Sequence, residues 1–393
     1  MGMGGAFIAV ADDYTSMFYN PAGLARFDDF HLTLPVLSFD LGGRTLNRAI
    51  DILISQERRD SFLGTVANTQ SALSGGGGSL TDEDKKNLKS VLNDVQQLEA
   101  LVGPGISLFR ISLNNFGVGL FVGSDISTGI DKGLLKNPSI NPLSKALVSA
   151  RADVGLVASF AGELLERDAL NIGTSLKYFW RADANVGASP FNALIGKINV
   201  PIKLGQGLGI DFGGLYHFYD FPGGQFTAGM AIRDFFGTSI FGQKVDLGVG
   251  GGATDTSKLT DFSLPPNFQD IVPMSLSLGA AYRPDLYYPF VFENVVLAFD
   301  LDDIFNHYPG PPGNPNIWDG LLLKTHFGLE SKVFSKTISF RAGLNQGYPA
   351  FGVGIDLVRF VTLDYAFSGY ERGEFPGLNP LRKHRFSISF GWK

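Results

Sequence analysis

The sequence predicts an all-β protein, a closed antiparallel barrel of about fourteen strands that crosses a membrane. Three observations carry this. Segments of about ten residues alternate between apolar and small or polar side chains. The links between them are long and short in turn along most of the chain. No run reaches the roughly 18 consecutive apolar residues that a spanning helix needs.

Composition agrees. Among 393 residues there are 50 Gly, 34 Phe and no Cys, with an ordinary 44% hydrophobic content. A soluble chain of this length would divide into about two or three domains, but one barrel accommodates it equally well. The absence of Cys excludes disulfides, thiolate metal sites and a Cys nucleophile. A net charge of −6, with basic residues spread out, excludes a nucleic-acid partner of the ordinary basic kind. No signal peptide is visible, and the chain opens inside an apolar segment, so a precursor leader is expected to be missing from it.

That first segment, residues 1–29, is too apolar for a solvent tail and too broken by Gly and Pro for a long helix. Asn20-Pro21 favours a turn, because proline restricts the residue before it to extended conformations. Gly23 permits conformations that other residues avoid.

Strands are predicted near 30–40, 105–113, 116–126, 151–160, 169–181, 207–217, 225–234, 274–283, 293–301, 322–330, 336–344, 350–356, 360–367 and 384–392. Segments 195–204 and 239–248 would raise the count to sixteen. The alternation is explicit. Phe116, Val118, Leu120 and Val122 lie opposite Gly117, Gly119, Phe121 and Gly123. Leu276, Leu278, Ala280 and Tyr282 alternate with Ser275, Ser277, Gly279 and Ala281. Val295, Leu297, Phe299 and Leu301 alternate with Val296, Ala298, Asp300 and Asp302. Ile338, Phe340, Ala342 and Leu344 alternate with Thr337, Ser339, Arg341 and Gly343, and Val361, Leu363, Tyr365 and Phe367 with Thr362, Asp364, Ala366 and Ser368. In the final strand Phe386, Ile388, Phe390 and Trp392 share one face, and Arg385, Ser387, Ser389 and Gly391 the other. Charges such as Asp364 and Arg341 are costly in lipid and suit a polar interior.

The long links are 41–104, 127–150, 182–206, 235–273, 302–321 and 368–383. Short ones include Asn114-Asn115, 331–335 and 357–359. Only 345–349 breaks the pattern. Such sorting belongs to transmembrane barrels, with short periplasmic turns and longer external loops. The first long link, 41–104, is predicted to be a helical extracellular insertion. Leu88, Val91, Leu92, Val95, Leu98 and Val102 keep helical spacing. Thr81, followed by Asp82, Glu83 and Asp84, forms its cap and acidic first turn. Gly75–Gly78 is a hinge before it, and 49–55 starts a partner helix.

No catalytic set assembles, so a non-enzyme without cofactor or metal is expected. His31, His217, His307, His326 and His384 are far apart, and neither HExxH nor GxSxG occurs. Gly248-Val-Gly-Gly-Gly-Ala253 resembles a dinucleotide fingerprint, but no helix follows it. Asp300, Asp302 and Asp303 begin like a calcium loop, which fails at Phe305 and Pro311. Asp302 and Asp303 are expected at a strand end facing water. Asp12 and Asp13 form either a carboxylate pair or a hydrogen-bonded, solvated turn.

Ala11-Asp12-Asp13, leading to Tyr19-Asn20-Pro21-Ala22-Gly23-Leu24, resembles the start of the FadL-like outer-membrane transporters. In that family the segment is a small plug inside the barrel, ending in an Asn-Pro-Ala turn. Leu297–Asp302, Phe327–Glu330, Phe340–Tyr348 and Val361–Phe367 resemble its PorV and TraF-like branch. The likeness covers both ends and most of the C-terminal half; 41–104 and 182–273 show none. It implies a plug at 1–29 and a barrel at 30–393, with both termini periplasmic, surrounded by lipid of a bacterial outer membrane. The implied function is passive uptake of a hydrophobic ligand of the long-chain fatty acid type, gated at Asp12, Asp13, Asn20, Pro21, Ala22 and Gly23. Phe386, Ile388, Phe390 and Trp392 resemble the aromatic signal read by the barrel-assembly machinery, except that Lys393 follows. The PorV-like motifs imply an alternative, a surface scaffold or secretion-associated barrel without transport. A soluble all-β binding protein is a third reading, which an outer apolar band flanked by aromatic rings would exclude.

Overall fold

In the computed structural model, the residues described are 1–13, 15–26, 31–42, 101–113, 115–130, 146–165, 169–188, 198–219, 221–249, 266, 268–286, 293–305, 317–358, 360–373, 375–378 and 380–392. A short helix α1 (Ser16–Tyr19) and a 3-10 turn (Pro21–Arg26) precede the strands. The wall begins with β1 (His31–Gly42), β2 (Leu101–Leu113), β3 (Phe116–Ile130), β4 (Ala146–Glu163), β5 (Leu170–Ala188) and β6 (Ile198–Phe218). It continues with β7 (Gly224–Arg233), β8 (Thr238–Val249), β9 (Phe268–Val272), β10 (Ser275–Pro284) and β11 (Asn294–Leu301). After α2 (Ile317–Leu322) come β12 (Thr325–Val333), β13 (Ile338–Asn345), β14 (Tyr348–Val358), β15 (Val361–Glu371) and β16 (Pro380–Trp392).

These 16 strands form one antiparallel sheet among the described residues. β1 pairs with both β2 and β16, so the sheet closes. The second half of β6 pairs with β7, through Phe212–Phe218, and its first half pairs with β8, through Ile198–Gly207. β10 lies beside β7, and β9 beside β8. β7 and β8 are therefore one line of wall interrupted at 234–237, and β9 and β10 the next, interrupted at 273–274. The ring thus has fourteen positions. Of the optional strand at 195–204, residues from 198 onward are the start of β6, and 195–197 lie outside the described residues. The optional strand at 239–248 is β8, prolonging β7. Closure pairs both edges of every line, as a lipid environment requires.

The outer face is apolar and the inner face small or charged. On β5, Ile172, Leu176 and Trp180 are exposed, whereas their neighbours Asn171 and Ser175 are buried. From 172 to 180 the band matches the about 9–11 residues of a tilted spanning strand. Aromatics crowd its ends: Phe116, Phe160, Phe218 and Phe360 are exposed near the short links, and Trp180, Phe236 and Phe241 toward the long ones. Among the described residues no helix is long and apolar enough to cross a membrane.

Several predicted boundaries move. β4, β5 and β6 run for 18, 19 and 21 residues. Residues 127–130, 146–150 and 182–188, expected in links, are strand. Beyond the band one face of β5 shrinks to small residues, Ala182, Ala184 and Val186, so the periodic signal weakens while the ladder persists. The strand expected from 322 begins at Thr325; α2 and a turn closed by Lys324 N–H to the Leu321 carbonyl (3.0 Å) precede it. Leu321-Leu322-Leu323 has no alternation to specify a strand. Residues 43–100, most of the predicted helical insertion, lie outside the described residues, and 41–42 and 101–104 are ends of β1 and β2. The short link at 345–349 is the tight turn Gln346-Gly347, with φ of 55° and 82°, the left-handed pair that two-residue hairpins favour.

The buried apolar core lies where the first 26 residues meet the inner wall. Met3, Ala6, Ala9 and Val10 pack with Ala281, Val296 and Ala298. Met17, Leu24 and Ala25 pack with Val157 and Ala161, and Ala11 and Ala22 with Leu215.

Candidate functional site

The amino-terminal segment crosses the inner wall from β14 to β3. Asp13 Oδ1 accepts the N–H (2.7 Å) and hydroxyl (2.5 Å) of Thr15, turning the chain into α1. The Asn20 N–H closes that helix on the Ser16 carbonyl (2.8 Å). Pro21 then opens the 3-10 turn, where its fixed φ costs nothing. The Asn20 side chain is fully buried. Its amide donates to the carbonyls of Ile8 (2.8 Å) and Gly214 (3.2 Å), and its oxygen accepts the Ala22 N–H (3.2 Å). One residue thus joins two stretches of the segment to β6.

The wall receives this segment through opposed glycines. Gly173 on β5 faces Gly213 on β6. A Cβ on Gly213 would lie 2.0 Å from Asn20 Oδ1, and one on Gly173 2.5 Å from the Ala22 nitrogen. Gly229 on β7 faces Gly279 on β10, and a Cβ on either would lie 2.8 Å from Ala9 backbone. Gly328 on β12 faces Gly343 on β13, with Cβ positions 2.8 Å from the Met3 carbonyl oxygen and 2.6 Å from the Met3 carbonyl carbon. At all three places the segment's backbone sits where side chains would be. Gly23 serves the same end: a Cβ there would lie 2.2 Å from the Ala11 carbonyl oxygen. Space rather than a left-handed φ explains that glycine.

Polar groups complete the seat. Asp300 Oδ2 accepts the backbone N–H of Phe7 (2.5 Å) and Ile8 (2.7 Å). His326 Nδ1 lies 2.8 Å from the Gly4 carbonyl oxygen. Ser175 donates to the Met17 carbonyl (2.9 Å) and bonds Ser159 (2.7 Å). Arg26 donates to the Val10 carbonyl (3.1 Å), and burial, reinforced by the nearby Arg283, holds its guanidinium below its usual range.

Elsewhere the inner wall is lined by ion pairs. Arg341 bridges Glu330 (2.6 Å) and Asp364 (2.7 Å). Asp40 takes Arg385 through both oxygens (2.6 and 2.7 Å) and Lys383 (2.6 Å). Arg181 grips Asp153 (2.7 and 2.9 Å). Lys177 lies between Asp211 (2.8 Å) and Asp234 (3.1 Å), beside the interruption of β7. At the interruption the Asp234 N–H returns to Asp211 (2.8 Å), and Phe236 is 88% exposed, projecting from the wall.

The structure brings Asn20, Pro21, Ala22 and Gly23 together in the glycine seat between β5 and β6. It separates Asp12 from Asp13: Asp12 meets Arg283 (3.3 Å), while Asp13 serves Thr15. No group of three or more metal-ligating side chains occurs among the described residues. Phe386 and Ile388 are exposed on the outer face, Phe390 is half-buried, and Trp392 pairs through its backbone with Leu32. Sequence reasoning missed Asp300 as a partner of the segment, and with it His326 and the glycine pairs. All occupy inward positions of the alternation, which was the available signal. Their pairing across strands depends on register, which residue pattern does not specify across distant strands.

No protein-family model matches the chain, and no curated protein matches it. Solved structures do. The Pseudomonas putida toluene transporter TodX is similar at 14% identity over 99% of this chain and 95% of its own, with a TM-score of 0.49. The CymD monoaromatic hydrocarbon channel is similar at 14% over 100% and 96%, TM-score 0.48. A Pseudomonas aeruginosa FadL homologue is similar at 12% over 99% and 96%, TM-score 0.47. Each likeness runs along nearly the whole barrel, at an identity too low to transfer any residue.

Proposed function

We propose that the chain is a bacterial outer-membrane barrel for passive uptake of a hydrophobic small molecule, with residues 1–29 acting as its plug. The observation that carries this is the seat itself. A segment of 25 described residues packs along the inner wall and is held by side-chain packing and discrete hydrogen bonds rather than by strand pairing. A segment seated in this way could be moved without breaking the ladder, and that would make it a gate. The ligand would be caught at the outer loops, reach the apolar clusters around Phe7 and Phe18, and leave through the lumen or through the wall. The paired interruptions at 234–237 and 273–274 break two adjacent lines of the wall side by side, which is where a lateral exit would open. Gating would proceed by movement around Asn20-Pro21-Ala22-Gly23, with Asp12 and Asp13 at the bend before it. Phe386, Ile388, Phe390 and Trp392 would present the closing strand to the assembly machinery.

The test is uptake by the purified barrel in liposomes, for a long-chain fatty acid and for a monoaromatic hydrocarbon, against a variant lacking 1–26. Ligand-dependent flux in the full chain, raised and made unselective by the deletion, is the expected result. Flux with one ligand alone assigns the cargo class. No flux from either protein ends the uptake reading and leaves the scaffold one.

A further inference from the structure

One rung of the wall differs from the rest. Gly229, Gly279, Asp300 and His326 are successive cross-strand neighbours on β7, β10, β11 and β12. All four meet the backbone of residues 4–9. The two glycines leave room for Ala9, Asp300 takes the N–H groups of Phe7 and Ile8, and His326 meets the Gly4 carbonyl. None of these contacts reads a side chain. Asp300 is 1% exposed, and its Oδ1 has no hydrogen-bond partner among the described residues. It is turned toward Gly279, where a Cβ would lie 2.5 Å from it. A buried carboxylate is costly unless hydrogen-bonded. Here the hydrogen bonds to Oδ2 come from the segment, so carboxyl group and segment stabilise each other. The other end of the segment differs: Arg26 is only a few residues from β1, and the chain itself tethers the Asn20 turn to the wall.

We infer that Asp300 is the latch of the amino-terminal segment, a positioning residue whose loss frees residues 1–7 while 16–26 stay seated. This rests on the plug reading and assigns its movable half.

Because the chain has no cysteine, single thiols report the two halves without background. Ala6→Cys and Ala25→Cys place probes at buried positions in the two apolar clusters. Each is labelled with a maleimide in liposomes, with and without Asp300→Ala. Position 6 is expected to react about tenfold faster or more once two hydrogen bonds are lost, and position 25 at an unchanged rate. Asp300→Asn, whose amide oxygen still accepts N–H, is expected to restore most of the protection. If Asp300→Ala fails to fold, Asp300→Ser, whose shorter hydroxyl does not reach the Phe7 and Ile8 N–H groups, is expected to act in the same direction. Unchanged labelling at position 6, or an equal rise at both positions, overturns the latch. Faster labelling at position 6 with unchanged liposome flux keeps the latch and overturns the plug as gate.

Discussion

Leu176 and Lys177 are adjacent in the chain and live in different solvents. Leu176 stands on the outside of β5, exposed beside Trp180 and Leu208. Lys177 points inward to Asp211 and Asp234. Gly213 and Gly214 divide the same way: the first touches Asn20, and the second has open space where a Cβ would go. The outer face is selected for hydrophobic character and tolerates shape. The inner face is selected for shape and for matched charge.

This contrast can be broken in graded steps. Leu176→Arg puts a charge on the lipid side and is expected to cost about 2–4 kcal/mol, read from unfolding in urea with the barrel in vesicles. Gly213→Val is expected to cost about 1–3 kcal/mol by overpacking the Asn20 seat, with faster proteolysis of the amino-terminal segment. Gly214→Val, one residue on and facing out, is expected to shift stability by no more than about 0.5 kcal/mol. Equal effects at 213 and 214 would remove the distinction between the faces. Arg341→Ala leaves Glu330 and Asp364 facing each other. Partial exposure tempers the loss to about 1–2 kcal/mol, below that of a fully buried pair, measurable in the same unfolding assay. Arg151→Ala, half-exposed and paired with Asp183, is expected to cost about 0.5 kcal/mol or less and to become neutral in high salt.

The pairs inside the barrel also divide by what they hold. Arg341, Arg385 and Arg181 each sit directly across from an acidic partner on the neighbouring strand, so they reinforce register. Asp300 sits across from a glycine and a histidine and turns instead to a segment 292 residues away. Both kinds of residue look alike in the sequence: a single charge in an apolar alternation.

What was legible follows from that. Period-two alternation is a local property, and it placed the strands of β10 to β16 within a few residues. Proline at 21 and the asparagine before it marked a real turn for a local reason. The long ends of β4 and β5 were less legible, because their alternation continues on small Ala and Val side chains; Ile198, Val200, Ile202 and Leu204 kept enough contrast to be read as an optional strand, though not as the start of β6. Of the two readings of Asp12 and Asp13, the structure shows the hydrogen-bonded turn, at Asp13 with Thr15, while Asp12 meets Arg283.

By itself the sequence determined the architecture: strands with two unlike faces, links of alternating length, and an amino-terminal segment with no strand pattern of its own. A side chain's face depends only on its parity, so residue order suffices for that. Only the tertiary structure decided which glycines stand opposite each other, that β8 prolongs β7, and that Asp300 meets Phe7 and Ile8. Those facts depend on register between strands far apart in the chain, where sliding by two residues preserves every face and changes every partner.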